Sequence, residues 1–434
     1  GYTNGSAELI SAFRDGVLRA GIDFDSLQAN DTPIAPLRFE SKWDFPARQA
    51  RFRLTNRKSG DAVVEGFYAP DEGRYRADIL LRKIDMALLD PVLKGVLRGS
   101  KGEAEARLVL TNPDRKATLN GSVAVNAFST TVDYTNVTYS MPEGTIDVRD
   151  NTMTLRPSAL YDPQGHRAGF DMDFSFANPR NLTYNVHVRP ENMLVLHTNA
   201  SHNDLFYGTV YASGSGTIRG SRYGVSMDIV AASADGTRFY LPLGNASDIS
   251  AADFIVFKDP ERHASDSLAA VRRRKRLLGR RIGGAQQART DMDIKMTLDV
   301  HPNAEMQLTL DQTGDNMLRG RGSGTLNLHV NPVDKEFTIY GDYAIAEGNY
   351  RFSLQNFATR NFIIEDGSSI QWTGDPVNAL LDVTAVYKLK ASLAPLLGAG
   401  AQSGRRSVPV ECIIRLSDRL TQPAITFDVS VPNT

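Results

Sequence analysis

Polar and apolar residues alternate one for one through much of the chain, most cleanly between Asp291 and Leu389. Met292, Ile294, Met296, Leu298 and Val300 interleave with Asp291, Asp293, Lys295, Thr297 and Asp299. The same period returns at Met306, Leu308 and Leu310, at Leu326, Leu328 and Val330, at Tyr350, Phe352 and Leu354, and at Leu381, Val383, Ala385 and Tyr387. A period of two sends successive side chains to opposite faces, so each run predicts a strand with one apolar and one solvated face. His301-Pro302-Asn303, Glu347-Gly348-Asn349, Asp366-Gly367 and Gly374-Asp375-Pro376 supply the turn chemistry between runs. No crossover helix fits between them, which predicts antiparallel pairing.

Upstream the rhythm is looser. Strands are predicted at Leu37–Lys42, Gln49–Thr55, Ala62–Tyr68 and Tyr75–Leu81, and again from Glu103 to Phe257. Two stretches read as helices. Glu8 to Ala20 spaces Leu9, Ile10, Phe13, Val17 and Leu18 near a helical period, and Ile84 to Leu97 does so with Ile84, Ala87, Leu88, Val92 and Leu97, kinked at Pro91. A lone helix among strands suits either a plug for an apolar channel or ordinary packing. The expected organisation is residues 1–83 (strands with a short N-terminal helix), 84–97 (helix), 103–258 (β), 259–290 (insertion) and 291–434 (C-terminal β domain). The insertion carries Arg272, Arg273, Arg274, Lys275 and Arg276. Such a run contacts an anionic surface of lipid headgroups or nucleic acid, or is a solvated helical or disordered excursion. No aromatic residue interleaves with it, which favours the second.

Composition narrows the class. With 434 residues, 41% hydrophobic, 23% charged and a net charge of −1, this is an ordered β protein without global attraction for nucleic acid or anionic membranes. The single cysteine, Cys412, excludes an internal disulfide framework; alternating with Val410 and Ile414, it reads as a buried strand position. Seven histidines are scattered, with His187 and His329 read onto solvated strand faces. His197 and His202 are close but lack the helical i, i+4 setting of a zinc site. Gly214-x-Gly216 and Gly320-x-Gly322-x-Gly324 lie within or between strands and open no helix, so they are not phosphate loops. No motif supports catalysis, a metal or a cofactor. No run approaches the ~18–20 apolar residues of a membrane-spanning helix, and the start does not resemble a signal peptide. The chain is therefore either cytosolic or an internal piece whose targeting segment lies upstream.

From Gly341 to Leu354 (Gly-Asp-Tyr-Ala-Ile-Ala-Glu-Gly-Asn-Tyr-Arg-Phe-Ser-Leu) the sequence resembles the C-terminal domain of the TamB family, AsmA-like bridge proteins of diderm bacteria. The likeness continues through Arg360-Asn361-Phe362, Gly367–Pro376 and Leu381–Tyr387. Arg319–Gly324, Leu160–Gly165, Phe206-Tyr207-Gly208 and Cys412–Val431 fit the version found in Bacteroidetes, and the whole resemblance spans roughly Leu80 to Val431. It implies an all-β fold: a long antiparallel sheet folded lengthwise into an open hydrophobic groove, the β-taco. It also implies a periplasmic protein anchored to the inner membrane by an upstream segment, a TamA-like, Omp85-family outer-membrane partner, and no enzymatic activity. The family is linked to outer-membrane protein assembly and to phospholipid movement between the two membranes.

A lipid groove also makes energetic sense of the strands by themselves. Exposing an acyl chain to water costs about 0.8 kcal/mol per CH₂, or roughly 12 kcal/mol for ~15 methylenes. A sheet with its apolar face turned inward replaces that water, and an open side leaves the headgroup solvated. On this reading Ile294, Met296, Leu298, Met306, Leu308, Leu310, Leu328, Phe352, Leu354 and Val383 line the lumen, and the cargo is phospholipid or another acyl lipid. For each residue the plain alternative is core packing. Two other readings remain: an outer-membrane barrel, disfavoured by uneven strand lengths and the lack of aromatic girdles, and a scaffold that docks nascent outer-membrane strands on its sheet edges.

Overall fold

The computed structural model describes residues 7–14, 16–24, 27–29, 32–34, 36–202, 206–242, 291–310, 315–331, 336–354, 358–392, 407–420 and 422–432. The basic run Arg272–Arg276, the strand expected at Asp253–Phe257 and most of the insert at Gly398–Ser407 lie outside the described residues. The fold is all-β with short helical turns, and its chain divides into two compact units. The first comprises Gly1–Phe239, Ile294–Glu305 and Arg321–Asn327; the second comprises Tyr240–Asp293, Met306–Gly320 and Leu328–Thr434.

The first unit opens with β1 (Ala7–Arg14) and β2 (Val17–Phe24), followed by a small hairpin of β3 (Leu27–Ala29) and β4 (Thr32–Ile34). Then come β5 (Leu37–Asp44), β6 (Gln49–Asn56), β7 (Ala62–Ala69), β8 (Arg74–Asp85), β9 (Leu97–Thr111) and β10 (Thr118–Val132). They are followed by β11 (Val137–Arg149), β12 (Thr152–Tyr161), β13 (Arg167–Ser175), β14 (Thr183–Pro190), β15 (Met193–Thr198), β16 (Tyr207–Ser221) and β17 (Gly224–Ser233). Pairing is antiparallel throughout and, from β5 to β14, always to the next strand in sequence. β2 pairs with β5, and β14 pairs with β16. Residues of β18 (Arg238–Pro242), β19 (Asp291–Val300), β20 (Glu305–Thr309) and β21 (Met317–Asn331) are shared between the units. The second unit contains β22 (Glu336–Leu354), β23 (Ala358–Ile364), β24 (Ser368–Gly374), β25 (Leu380–Ser392), β26 (Ser407–Arg419) and β27 (Ala424–Ser430).

Two expected helices are corrected. The helix expected over Glu8–Ala20 is a hairpin, with β1 and β2 in register from Ala7↔Phe24 to Arg14↔Val17. The chain reverses at Gly16, whose φ of +72° is open to glycine at little cost and would end a helix. Leu9, Ile10, Phe13, Val17 and Leu18 match a helical period by coincidence. The helix expected over 84–97 is much shorter. β8 runs on to Asp85, a 3₁₀ turn covers Met86–Leu88, and α1 (Leu89–Val92) completes the helical stretch before β9 begins. The Asp85 carboxylate accepts the Ala87 N–H at 2.9 Å and caps this turn. Pro91 is tolerated because its missing N–H falls in the first helical turn. The Asp90 carboxylate accepts Gly99 N–H (2.8 Å) and Ser100 N–H (3.1 Å), tying α1 to β9. Ile84 and Met86 pack against the buried cluster Ala104, Val125, Met141 and Leu155.

The loop Leu160–Gly165 is organised by one buried carboxylate. Asp162 accepts N–H bonds from Gln164, His166 and Leu194 (2.9, 2.9 and 2.8 Å) and pairs with His166 Nδ1 at 2.8 Å. Burial pushes the Asp162 carboxyl up, but the hydrogen bonds from Leu194, His166 and Gln164 together outweigh it and hold it below the usual carboxylate range. Cys412 is half-buried on β26 rather than fully enclosed.

Candidate functional site

Strand register in the first unit places apolar side chains side by side. Ile22, Phe39, Leu54, Val64, Ile79 and Leu108 are direct cross-strand neighbours from β2 through β5–β9. A second row overlaps it: Leu81, Ala106, Val123, Ile146, Leu155, Met172, Val186, Ile218 and Met227, from β8 through β14 to β16 and β17. Together the rows cross thirteen strands without a polar side chain.

The opposite face is charged. Cross-strand ion pairs join Arg38 to Asp23 (2.7 Å), Arg53 to Glu65 (2.6 Å), Arg156 to Asp147 (2.8 Å), Arg189 to Asp171 (2.9 Å) and Arg219 to Asp228 (2.7 Å). Hydrogen bonds from the Arg38 and Arg156 guanidiniums hold the Asp23 and Asp147 carboxyls below their usual range. These pairs are solvated and add little stability. Their effect is on register, since a slip of one residue would send every charge to the apolar face.

Most of the row residues are less buried than an ordinary core, although Val123, Ile146 and Met172 pack against the buried cluster that contains Leu155. Of the fifteen row residues, Ala106 and Leu155 are buried, while the others, including Phe39, Leu54, Ile79, Met172 and Ile218, are half-buried. Close-packed interiors leave large apolar side chains almost no exposed area. The rows are thus apolar surface still partly in contact with solvent.

The second unit is packed differently. Tyr343, Leu308, Ile370 and Ile414 are 0% exposed, and Ile345, Leu416, Tyr350 and Trp372 at most 2%. Trp372 Nε1 donates to Pro376 O at 3.3 Å, and the Asp375 carboxylate caps the following 3₁₀ turn through Val377 N–H at 3.1 Å. Of the residues expected to line a lumen, Ile294, Met306, Leu308 and Val383 are buried, and Met296, Leu298, Leu310, Leu328 and Phe352 are half-buried. Leu354 ends β22 opposite Ala358.

The profile of the TamB C-terminal domain matches residues 159–434, more than half of the chain. The chain belongs to the TamB family. A search among curated proteins found no match. The TamB match starts within β12, later than the Leu80 at which the sequence resemblance begins, so β2–β11 lie upstream of it. TamB proteins form a periplasmic, non-enzymatic family of the cell envelope, working with TamA-like, Omp85-family partners. Among the described residues of this TamB chain, no three His, Cys, Asp or Glu side chains gather into a metal-binding group. No helix of the described residues is long and apolar enough to cross a membrane.

The TamB motif Gly341–Leu354 has a local physical reason. β22 is one long strand that pairs first with β24 (Ile339↔Gly374 to Ile345↔Ser368) and then with β23 (Gly348↔Ile364 to Leu354↔Ala358). Its buried positions shift from odd (Ile339, Tyr343, Ile345) to even (Tyr350) at the change of partner. There the backbone passes close to β21. A Cβ on Gly348 would stand 2.4 Å from Arg319 O and 2.7 Å from Gly320 Cα, so no larger residue fits.

Sequence reasoning placed its site residues in the second half of the chain, where alternation is sharpest. It singled out none of Phe39, Leu54, Ile79, Ile146, Met172, Val186 and Ile218. The signal that identifies them is cross-strand register combined with incomplete burial.

Proposed function

We propose that this TamB-family chain carries phospholipid acyl chains along its apolar face, as part of a periplasmic bridge between the inner and outer membranes that supports outer-membrane biogenesis. The observation carrying this reading is the continuous, half-buried apolar surface of β2, β5–β14, β16 and β17. An acyl chain laid on it leaves water at a gain of about 0.8 kcal/mol per CH₂. The side chains of the row give up their remaining contact with water at the same time. The charged reverse face keeps the sheet soluble. Of the residues expected to line a lumen further along the chain, Met296, Leu298, Leu310, Leu328 and Phe352 are half-buried and suit the same role within their own strands.

In-cell photo-crosslinking tests this. A photoreactive residue at Leu54 or Val186, with Leu354 as a C-terminal position, is expected to yield lipid adducts by mass spectrometry. Arg53 and His187, on the charged face, are expected to yield none. Equal labelling of both faces, or no lipid on the apolar one, refutes the reading.

A second reading, a scaffold for outer-membrane protein assembly with an Omp85-family partner, draws support from β27. Among the described residues β27 pairs on one side only, with β26. Ile425, Phe427 and Val429 stand opposite Leu416, Ile414 and Cys412, yet are 38%, 60% and 60% exposed. An open edge with exposed apolar residues, of which Phe427 also meets the Phe352 ring edge-on at 5.7 Å between centroids, suits the addition of a further strand. Lipid adducts at Val186 together with protein adducts at Phe427 would assign the two activities to different ends of the chain.

A further inference from the structure

On the charged face of the N-terminal strands, one row breaks the pattern of alternating sign. Arg19 on β2 stands directly opposite Lys42 on β5, and Lys42 opposite Arg51 on β6. The row ends on Ala12 of β1 and Phe67 of β7, so it contains three cations and no carboxylate. Like charges directly opposite each other destabilise a sheet, whereas the neighbouring positions pair opposite charges: Arg38 with Asp23, and Arg53 with Glu65.

The nearest carboxylates are engaged or outnumbered. Asp44 accepts the Ala47 N–H at 3.0 Å. Asp23 and Glu65 are held by Arg38 and Arg53. Glu40 stands opposite Gly21 and Arg53, one position along the face from the row. Arg51 Nε donates to Gln49 Oε1 at 3.2 Å, along its own strand. A cavity of about 650 Å³ opens above these side chains, lined by all three cations, by Arg38 and Arg53, and by Asp23, Glu40 and Glu65. Gly21 also lines it, and its missing side chain leaves the space above the backbone free.

We propose that the Arg19–Lys42–Arg51 row is a binding site for a phosphate-type oxyanion. The anion relieves the repulsion along the row and takes charge-assisted hydrogen bonds from two guanidiniums and an ammonium, donors suited to phosphate oxygens. The same chemistry is offered by free phosphate and by the phosphodiester of an anionic lipid headgroup. The site lies on the face opposite the apolar rows and does not depend on the acyl-chain reading, so either can fail without the other.

The test titrates inorganic phosphate into the chain at constant ionic strength, with chloride as the balancing anion, and follows the thermal midpoint and the heat of binding. Phosphate is expected to raise the midpoint of the native chain, and Lys42→Gln to weaken binding by about tenfold or more. In chloride alone, Lys42→Gln is expected to melt at or above the native midpoint because the repulsion is gone; Arg51→Gln gives a second variant with the same expectation. Flotation with phosphatidylcholine vesicles, with and without phosphatidylglycerol, separates the sources. Binding that requires phosphatidylglycerol and is lost in Lys42→Gln assigns the site to a headgroup, and stabilisation by phosphate without flotation assigns it to the free anion. Equal phosphate stabilisation of native and variant chains, or no response to phosphate or vesicles, overturns the proposal.

Discussion

Val186→Glu distinguishes an open apolar face from a sealed one. Val186 is half-buried on β14 between Met172 and Ile218. On an open face the new carboxylate keeps its water, and the loss is the valine's partial burial, about 1 kcal/mol. In a sealed interior the carboxyl must be neutral at pH 7. Starting from an ordinary pKa of ~4.3, that costs about 4 kcal/mol, to which the lost apolar burial adds. Leu308→Glu is the internal reference, since Leu308 is 0% exposed, and a loss of roughly 5 kcal/mol or failure to fold is expected there. Urea unfolding at pH 7 measures both. Mass spectrometry of lipid retained by the purified chain supplies the functional readout, in which Val186→Glu is expected to lose bound lipid while remaining folded. Equal destabilisation by the two substitutions, or undiminished lipid in folded Val186→Glu, refutes the reasoning.

Asp162→Ala leaves the N–H groups of Leu194, His166 and Gln164 without their acceptor, and a loss of about 2–4 kcal/mol in urea unfolding is expected. Because its folded pKa is depressed, the Asp162 carboxylate contributes stability above the ordinary aspartate pKa of ~3.9 that is lost as pH falls through the folded value. The native chain is therefore expected to lose more stability than Asp162→Asn below about pH 4. Trp372→Ala empties a site that is 2% exposed and is expected to cost about 3–5 kcal/mol by the same measurement. Gly348→Val drives a side chain into Arg319 O, and a loss of about 2–3 kcal/mol is expected, with faster amide exchange at the ends of β22 and β23 as the local check. Phe427→Lys, at a position 60% exposed, removes an edge-on contact with Phe352 and is expected to cost about 1 kcal/mol while reducing crosslinking to outer-membrane proteins.

Strand identity was legible wherever alternation ran for several residues, because a half-buried strand writes its two faces directly into the sequence. Register was not. Between β12 and β13 the pairing shifts after Leu155, and the inward positions change from Leu155 to Ser158 and Leu160. A similar shift at Asn126 moves them from Val125 to Phe128. Each irregularity exchanges odd for even, and counting along one strand cannot follow it. Alternation also says nothing about what covers the apolar face. Leu308 and Phe39 have the same local pattern, yet one is sealed by neighbours and the other is half-open, since the difference lies in side chains distant in sequence. The Glu8–Ala20 misreading has a simpler cause: the reversal at Gly16 interrupts the segment that the helical spacing required to be continuous.

From β5 to β14 every strand finds its partner in the segment made just before it. Such a polypeptide needs no distant closure to begin folding, and can assemble hairpin by hairpin as it emerges on the far side of a membrane. Its reach is then a matter of how many hairpins are strung together. Segments can be gained or lost during evolution with only their two flanking strands obliged to adapt.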